Sequence, residues 1–187
     1  TLKALGRLDE AIVSYQHTIA LKPDYAETHG NLGNTLKELG KSDEAELSLR
    51  QAIRLKSDFT EGYYNLANVL QETGRSDEAE DLYRQAIGLK PNFAEAHYNL
   101  GITLQKTDKL NEAETSYRRA MSIDPGYAGA HNNLGNTLKE LGKLSEAESS
   151  YQQAVDLKPD FAEAHNNLGN VLKTNGKFTK AEAAYSC

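Results

Sequence analysis

Tryptophan is absent from this chain, and cysteine and methionine occur once each in 187 residues. The single cysteine, Cys187, is the last residue, so no intrachain disulfide forms and nothing demands an oxidising compartment. Proline is scarce, at 4 residues, which leaves room for long uninterrupted helices. Apolar runs are short, and none approaches the length of a membrane span. No signal-peptide pattern is visible in these residues, which begin without Met. Positive charge is in deficit, with a formal net charge of −6, which argues against duplex nucleic acid or an anionic membrane as the principal partner. Catalytic furniture is missing as well. No glycine-rich phosphate loop follows a strand, Cys187 has no local histidine, and paired carboxylates such as Glu78 and Glu80 fall on solvated helix faces. These absences lead us to expect a cytoplasmic chain with no enzymatic activity, no cofactor and no metal.

What is present is repetition. "HNNLGN" occurs at His131–Asn136 and recurs, unchanged, 34 residues later at His165–Asn170. Sliding the sequence by that period gives four full units, 26–59, 60–93, 94–127 and 128–161. A partial unit, 1–25, precedes them and another, 162–187, follows. No linker or low-complexity segment intervenes, so the expectation is one array in a single domain. The chain starts late in one unit and stops inside another, without polar caps, which is expected of a piece of a longer protein. Its ends would expose Leu2, Leu5, Ile12 and Tyr185 and favour self-association.

Each unit reads as two helices. In 128–161, Leu134, Leu138 and Leu141 form a helical stripe that Gly142 ends. Ala147, Tyr151, Ala154 and Val155 form a second stripe, closed by Pro159. Asp24, Asp58, Asn92 and Asp160, each with Glu three residues later, are expected to build capping boxes at the first helices. Ser145–Glu148, Asp43–Glu46 and Asp77–Glu80 are expected to do the same at second helices. One unit carries Gly126 and Gly129 at these positions, and its first helix should fray more easily. Next to the row Leu32, Leu66, Leu100, Leu134, Leu168 runs Gly33, Ala67, Gly101, Gly135, Gly169. Mid-helix glycine costs about 1 kcal/mol against alanine, so a neighbouring helix is expected to come too close there for a Cβ.

The pattern His-x2-Leu-Gly-x2-Leu, then Ala-x3-Tyr, then Pro, resembles the tetratricopeptide repeat along the whole chain. The departures are His or Tyr for a Trp, Ser57 for a Pro, and Asp108 for the glycine between helices, where Asp108 must take the left-handed conformation. The resemblance implies an all-α, right-handed α-solenoid of antiparallel helix pairs whose first helices line a concave groove.

The row Asn31, Asn65, Asn99, Asn133 and Asn167 is asparagine in every unit, although asparagine is a mediocre helix residue. One turn further lie Asn34, Asn68, Ile102, Asn136 and Asn170. A carboxamide offers a donor and an acceptor side by side, suited to an extended peptide backbone. With first helices about 8–10 Å apart and a chain advancing about 3.3 Å per residue, each rung would meet every third peptide residue. This row and "LGNTLKELG" are similar to the asparagine ladder of O-GlcNAc transferases and their bacterial relatives, and that resemblance implies a grip on extended polypeptide. The competing reading is that the amides bond adjacent helices to each other. Lys37, Lys139 and Lys173 lie at the ends of first helices, placed either to meet acidic ligand side chains or to complement the helix C-terminus. The basic row Arg7, Lys41, Arg75, Lys109, Lys143 and Lys177 reads as a dipole complement. His29, His97, His131 and His165 share a position with Tyr63. Rungs about 10 Å apart cannot share an ion with bonds near 2 Å, so packing is their expected role. Specificity would fall to variable positions such as Tyr64, Tyr98, Ile102 and Lys106. Function is therefore expected to be protein–protein interaction through extended peptide segments. The alternatives are the recruiting arm of a larger glycosyltransferase or sulfotransferase and a purely structural spacer.

Overall fold

The computed structural model describes residues 6–185 of the chain, and all regular structure among them is helical. Eleven helices follow one another: α1 (Leu8–Leu21), α2 (Ala26–Glu38), α3 (Ser42–Leu55), α4 (Thr60–Glu72), α5 (Ser76–Leu89), α6 (Ala94–Lys106), α7 (Leu110–Ile123), α8 (Ala128–Glu140), α9 (Leu144–Leu157), α10 (Ala162–Thr174) and α11 (Phe178–Tyr185). Every first helix starts at the residue that opens its 34-residue unit. The chain forms two compact units, Thr1–Pro91 and Asn92–Cys187, divided in the connection between α5 and α6. In the first, α2 pairs with α3 and α4 with α5, while α1 packs on α2 and α3 on α4. In the second, α6–α7, α8–α9 and α10–α11 are the pairs, joined by α7 on α8 and α9 on α10. Successive first helices also touch directly, α2 with α4 in one unit and α6 with α8 and α8 with α10 in the other. This is the helix-pair stacking of an α-solenoid.

The core follows the sequence rows. Leu66, Leu134 and Leu138 are buried on first helices, and Ala45, Ala79, Ala113, Ala147 and Ala181 on second helices. Tyr83, Tyr117 and Tyr151 are fully buried knobs. They also supply the reason for the glycine row. A Cβ on Gly101 would meet the Tyr117 ring at 2.6 Å, and one on Gly135 the Tyr151 ring at 2.5 Å. It is thus a tyrosine side chain of the second helix that occupies this space, more than the neighbouring backbone. Only at Gly33, opposite Leu49, does a backbone atom share the space, the Ala45 carbonyl oxygen at 3.0 Å. Asp108 takes φ 60°, the left-handed conformation its place between helices requires.

Three expectations are corrected. The capping boxes do not form. The cap positions of α2, α4, α6 and α10 are Tyr25, Phe59, Phe93 and Phe161, and those of α3, α5 and α9 are Lys41, Arg75 and Lys143, none with a side-chain cap bond. At the first helices the capping pattern lies one residue before the cap, which an aromatic residue takes; at the second helices Asp43, Asp77 and Ser145 lie two residues beyond a basic cap, inside the first turn. The basic row likewise does more than complement dipoles. Arg75 bonds Glu46 at 2.7 Å and Glu78 at 2.6 Å, and Arg50 links the same two carboxylates. Lys143 reaches Glu114 and Lys177 reaches Glu148, each at 2.8 Å. These pairs join second helices of consecutive repeats. Burial opposes ionisation of Glu46, but hydrogen bonds from Arg75 and Arg50 outweigh it and hold its carboxyl below the usual range. Their cationic ends stay in contact with water while the carboxylates are mostly covered, and such partly exposed pairs contribute about 0–1 kcal/mol each. Finally, Ile12 is buried and not an exposed end residue, whereas Tyr185 is exposed. Leu2, Leu5 and Cys187 lie outside the described residues.

Candidate functional site

The asparagine row sits where the first helices turn away from their second-helix partners. Leu32 and Leu36 are buried while Asn31, just before Leu32, is exposed, and Asn65, Asn99, Asn133 and Asn167 are half-buried. Because α2 touches α4, and α8 touches both α6 and α10, the asparagine faces within each unit lie side by side.

The two units treat their rungs differently. Among the described residues, the carboxamides of Asn31 and Asn65 make no hydrogen bond within the protein. In the second unit the amides are tied. Asn133 Nδ2 donates to the Tyr98 hydroxyl at 3.1 Å, and Asn167 Nδ2 donates to Asn132 Oδ1 at 3.0 Å. Asn132 is only 1% exposed; its Nδ2 donates to Glu163 Oε1 at 3.0 Å and, more weakly, to Asn133 Oδ1 at 3.4 Å. The network spans α6, α8 and α10. Tyr98 stacks on Tyr127 with ring centroids 4.6 Å apart, and burial together with the Glu163 charge raises its phenol pKa against the opposing bond from Asn133.

The partners of Asn133 and Asn167 come from a single position of the preceding repeat, the one holding Gly30, Tyr64, Tyr98, Asn132 and Asn166 in the sequence rows. Tyr98 serves Asn133 and Asn132 serves Asn167. Gly30 has no side chain to offer Asn65, and it is glycine because a Cβ there would meet the Phe59 ring at 2.5 Å. At Gly129 a Cβ would sit in tight contact with the Tyr98 hydroxyl, at 3.3 Å. Despite Gly126 and Gly129, α8 has the full length of its counterparts, and the Gly126 amide is held by Asp124 Oδ1 at 3.0 Å.

The second asparagine row answers to tyrosines of the same repeat. Asn68, Asn136 and Asn170 accept hydrogen bonds from the hydroxyls of Tyr83, Tyr151 and Tyr185 at 2.6, 2.8 and 2.9 Å. Where the tyrosine is replaced by Leu49, Asn34 has no such donor; where the asparagine is replaced by Ile102, Tyr117 turns to Gln105 Oε1 at 3.2 Å. The oxygens of Asn68, Asn136 and Asn170 are therefore engaged within their own repeats.

Lys37 pairs with Glu72 at 3.0 Å across α2 and α4, and Lys139 and Lys173 are exposed. The histidines pack: His29, His131 and His165 each bond through Nε2 to the carbonyl of the proline six residues earlier. Their tautomer follows, since a carbonyl only accepts, which leaves Nδ1 of His131 and His165 buried without a partner. Burial lowers the His131 pKa, against a smaller raising effect of the Pro125 carbonyl. Among the described residues no cluster of metal-ligating side chains occurs, and no helix is long and apolar enough to cross a membrane.

Comparison with known proteins agrees with this architecture. A profile described as "TPR repeat" matches residues 1–40, 33–74 and 135–176, and two described as "Tetratricopeptide repeat" match 64–128 and 116–149. No curated protein matches the chain. Among solved structures, MamA is similar at 26% identity and a TM-score of 0.80, over 87% of this chain and 95% of that one. YrrB, described as a TPR protein with an unusual peptide-binding site, is similar at 24% identity and a TM-score of 0.79, over 91% and 88%. Pseudomonas aeruginosa PilF follows at 20% identity and a TM-score of 0.77, over 96% and 75%. The last two show a shared fold.

Proposed function

This chain belongs to the tetratricopeptide repeat family, a scaffold-type fold for protein interaction, and on that premise we propose that it holds extended peptide segments against the asparagine rows of its first helices. The observation that carries the reading is the pair Asn31 and Asn65. Both amides sit on touching helices, accessible and unpartnered, in a row that is asparagine at all five positions. A mid-helix asparagine that bonds nothing in the protein is a cost without a structural return, and a ligand backbone supplies the return. Asn99, Asn133 and Asn167 continue the row, and Lys139 and Lys173 stand at its edge for acidic ligand side chains. The description of YrrB as peptide-binding supports the same use of the fold. Each rung contributes about 0.5–1.5 kcal/mol, less the ordering of the peptide, so affinities are expected to be micromolar or weaker.

The test is titration of a labelled random-sequence peptide pool against the wild-type chain and the Asn31→Ala/Asn65→Ala variant. Two lost rungs at about 1 kcal/mol each should weaken binding roughly 30-fold. Unchanged binding would remove these amides from the recognition surface and leave a structural spacer.

A further inference from the structure

The carboxamide network of the second unit has a fixed direction, and one charged group fixes it. An ionised carboxylate accepts hydrogen bonds and donates none. Glu163 Oε1 therefore requires the amino group of Asn132, 3.0 Å away, whichever way an amide might be turned. With its amino group committed there, buried Asn132 turns Oδ1 toward Asn167, which must answer with Nδ2 at 3.0 Å. The oxygen of Asn167 is then the atom left outward. The same Asn132 amino group leans on Asn133 Oδ1 at 3.4 Å, and Asn133 Nδ2 is taken by the Tyr98 hydroxyl at 3.1 Å. Asn167 thus turns its amino group inward and leaves its oxygen for a ligand, whereas both ends of Asn133 are engaged within the network. Asn31 and Asn65 have no such tie.

We infer that Glu163, acting through Asn132, is a positioning residue that sets Asn167 as an acceptor, so that this rung of the second unit selects a backbone N–H donor of an extended peptide while the free rungs of the first unit adapt to either group. The inference rests on the groove reading above and adds a preference that asparagine identity alone does not give. A peptide whose N–H groups are blocked should lose this contact although its carbonyls are intact.

Glu163→Lys tests this, because an ammonium only donates and should reverse the chain of amides, turning Asn167 Nδ2 outward. Two measurements on the full chain separate the outcomes. In the free protein, the side-chain amide protons of Asn167 should exchange with water at least about fivefold more slowly than those of Asn31, consistent with one hydrogen bond. In Glu163→Lys that difference should vanish. Absence of the difference in the wild type, or its persistence in the variant, overturns the inference without any ligand. The second arm titrates a Thr/Ala-alternating peptide and its backbone N-methylated twin. The wild type should prefer the unmethylated peptide by about fivefold or more, and Glu163→Lys by less than about twofold. Equal binding of the twins to the wild type, with Asn133→Ala and Asn167→Ala still weakening both, overturns the inference and leaves the groove reading standing. Binding that none of these asparagine substitutions alters defeats both.

Discussion

Asn65→Ala separates a ligand rung from a structural one. Asn65 makes no hydrogen bond in the protein, because the position that would serve it is Gly30. Its replacement removes no internal interaction beyond a few van der Waals contacts. Alanine is the better helix residue by up to about 0.7 kcal/mol, so the variant should be more stable by about 0.5 kcal/mol and melt about 1–2 °C higher. Asn133→Ala gains the same propensity but breaks the bond to the Tyr98 hydroxyl, a loss of about 1 kcal/mol. It should end about 0.5 kcal/mol less stable than wild type, about 1 kcal/mol below Asn65→Ala. Urea unfolding followed by far-ultraviolet circular dichroism, with both variants measured side by side, resolves a difference of that size. Peptide binding should fall in both. An Asn65→Ala variant that loses as much stability as Asn133→Ala would refute the reasoning, since the amide would then be held by the protein itself.

Tyr151→Phe should cost about 0.5–1.5 kcal/mol of unfolding free energy, because its buried hydroxyl donates to Asn136 at 2.8 Å; thermal unfolding at neutral pH checks this, and a neutral variant would show that Asn136 is served by water. His131 should make stability sensitive to acid. Burial depresses its folded pKa below the unfolded 6.5, so the folded state binds fewer protons, and stability falls as pH drops below about 6.5. His131→Tyr, which borrows the residue found at Tyr63 in the same row, should flatten stability against pH between about 7 and 5.5; an unchanged slope would place the titration elsewhere. Glu46 acts lower on the scale. Its folded pKa is depressed, so its contribution is present above its unfolded pKa of 4.5 and is lost as pH falls below it. Arg75→Met should reduce that acid sensitivity.

Helix count, helix starts and the buried rows were legible because they depend on periodicity within one helix. Asp108 was legible because the turn between helices leaves a single backbone choice. The capping boxes were misread because Asp24 and Glu27 have the right spacing in the wrong frame: Tyr25, not Asp24, occupies the cap. The glycine row was read with the right steric cause, the close approach of the neighbouring helix, while the blocking group itself, a tyrosine ring 16 residues downstream in the same repeat, was not foreseen. The amide network was invisible for a similar reason. Tyr98 and Asn133, or Asn132 and Asn167, meet only when successive first helices are stacked, 35 residues apart in sequence. One signal was available: the position of Gly30, Tyr98 and Asn132 alternates between residues that can hold a neighbour's amide and one that cannot.

The central claim is that the free amides of Asn31 and Asn65 face a peptide. Side-chain amide resonances of the asparagines, followed by nuclear magnetic resonance while the random peptide pool is added, test it most directly. The NH2 signals of Asn31 and Asn65 should move progressively and together. Shifts confined to the second helices α3 and α5, with both asparagine signals unmoved, would contradict it.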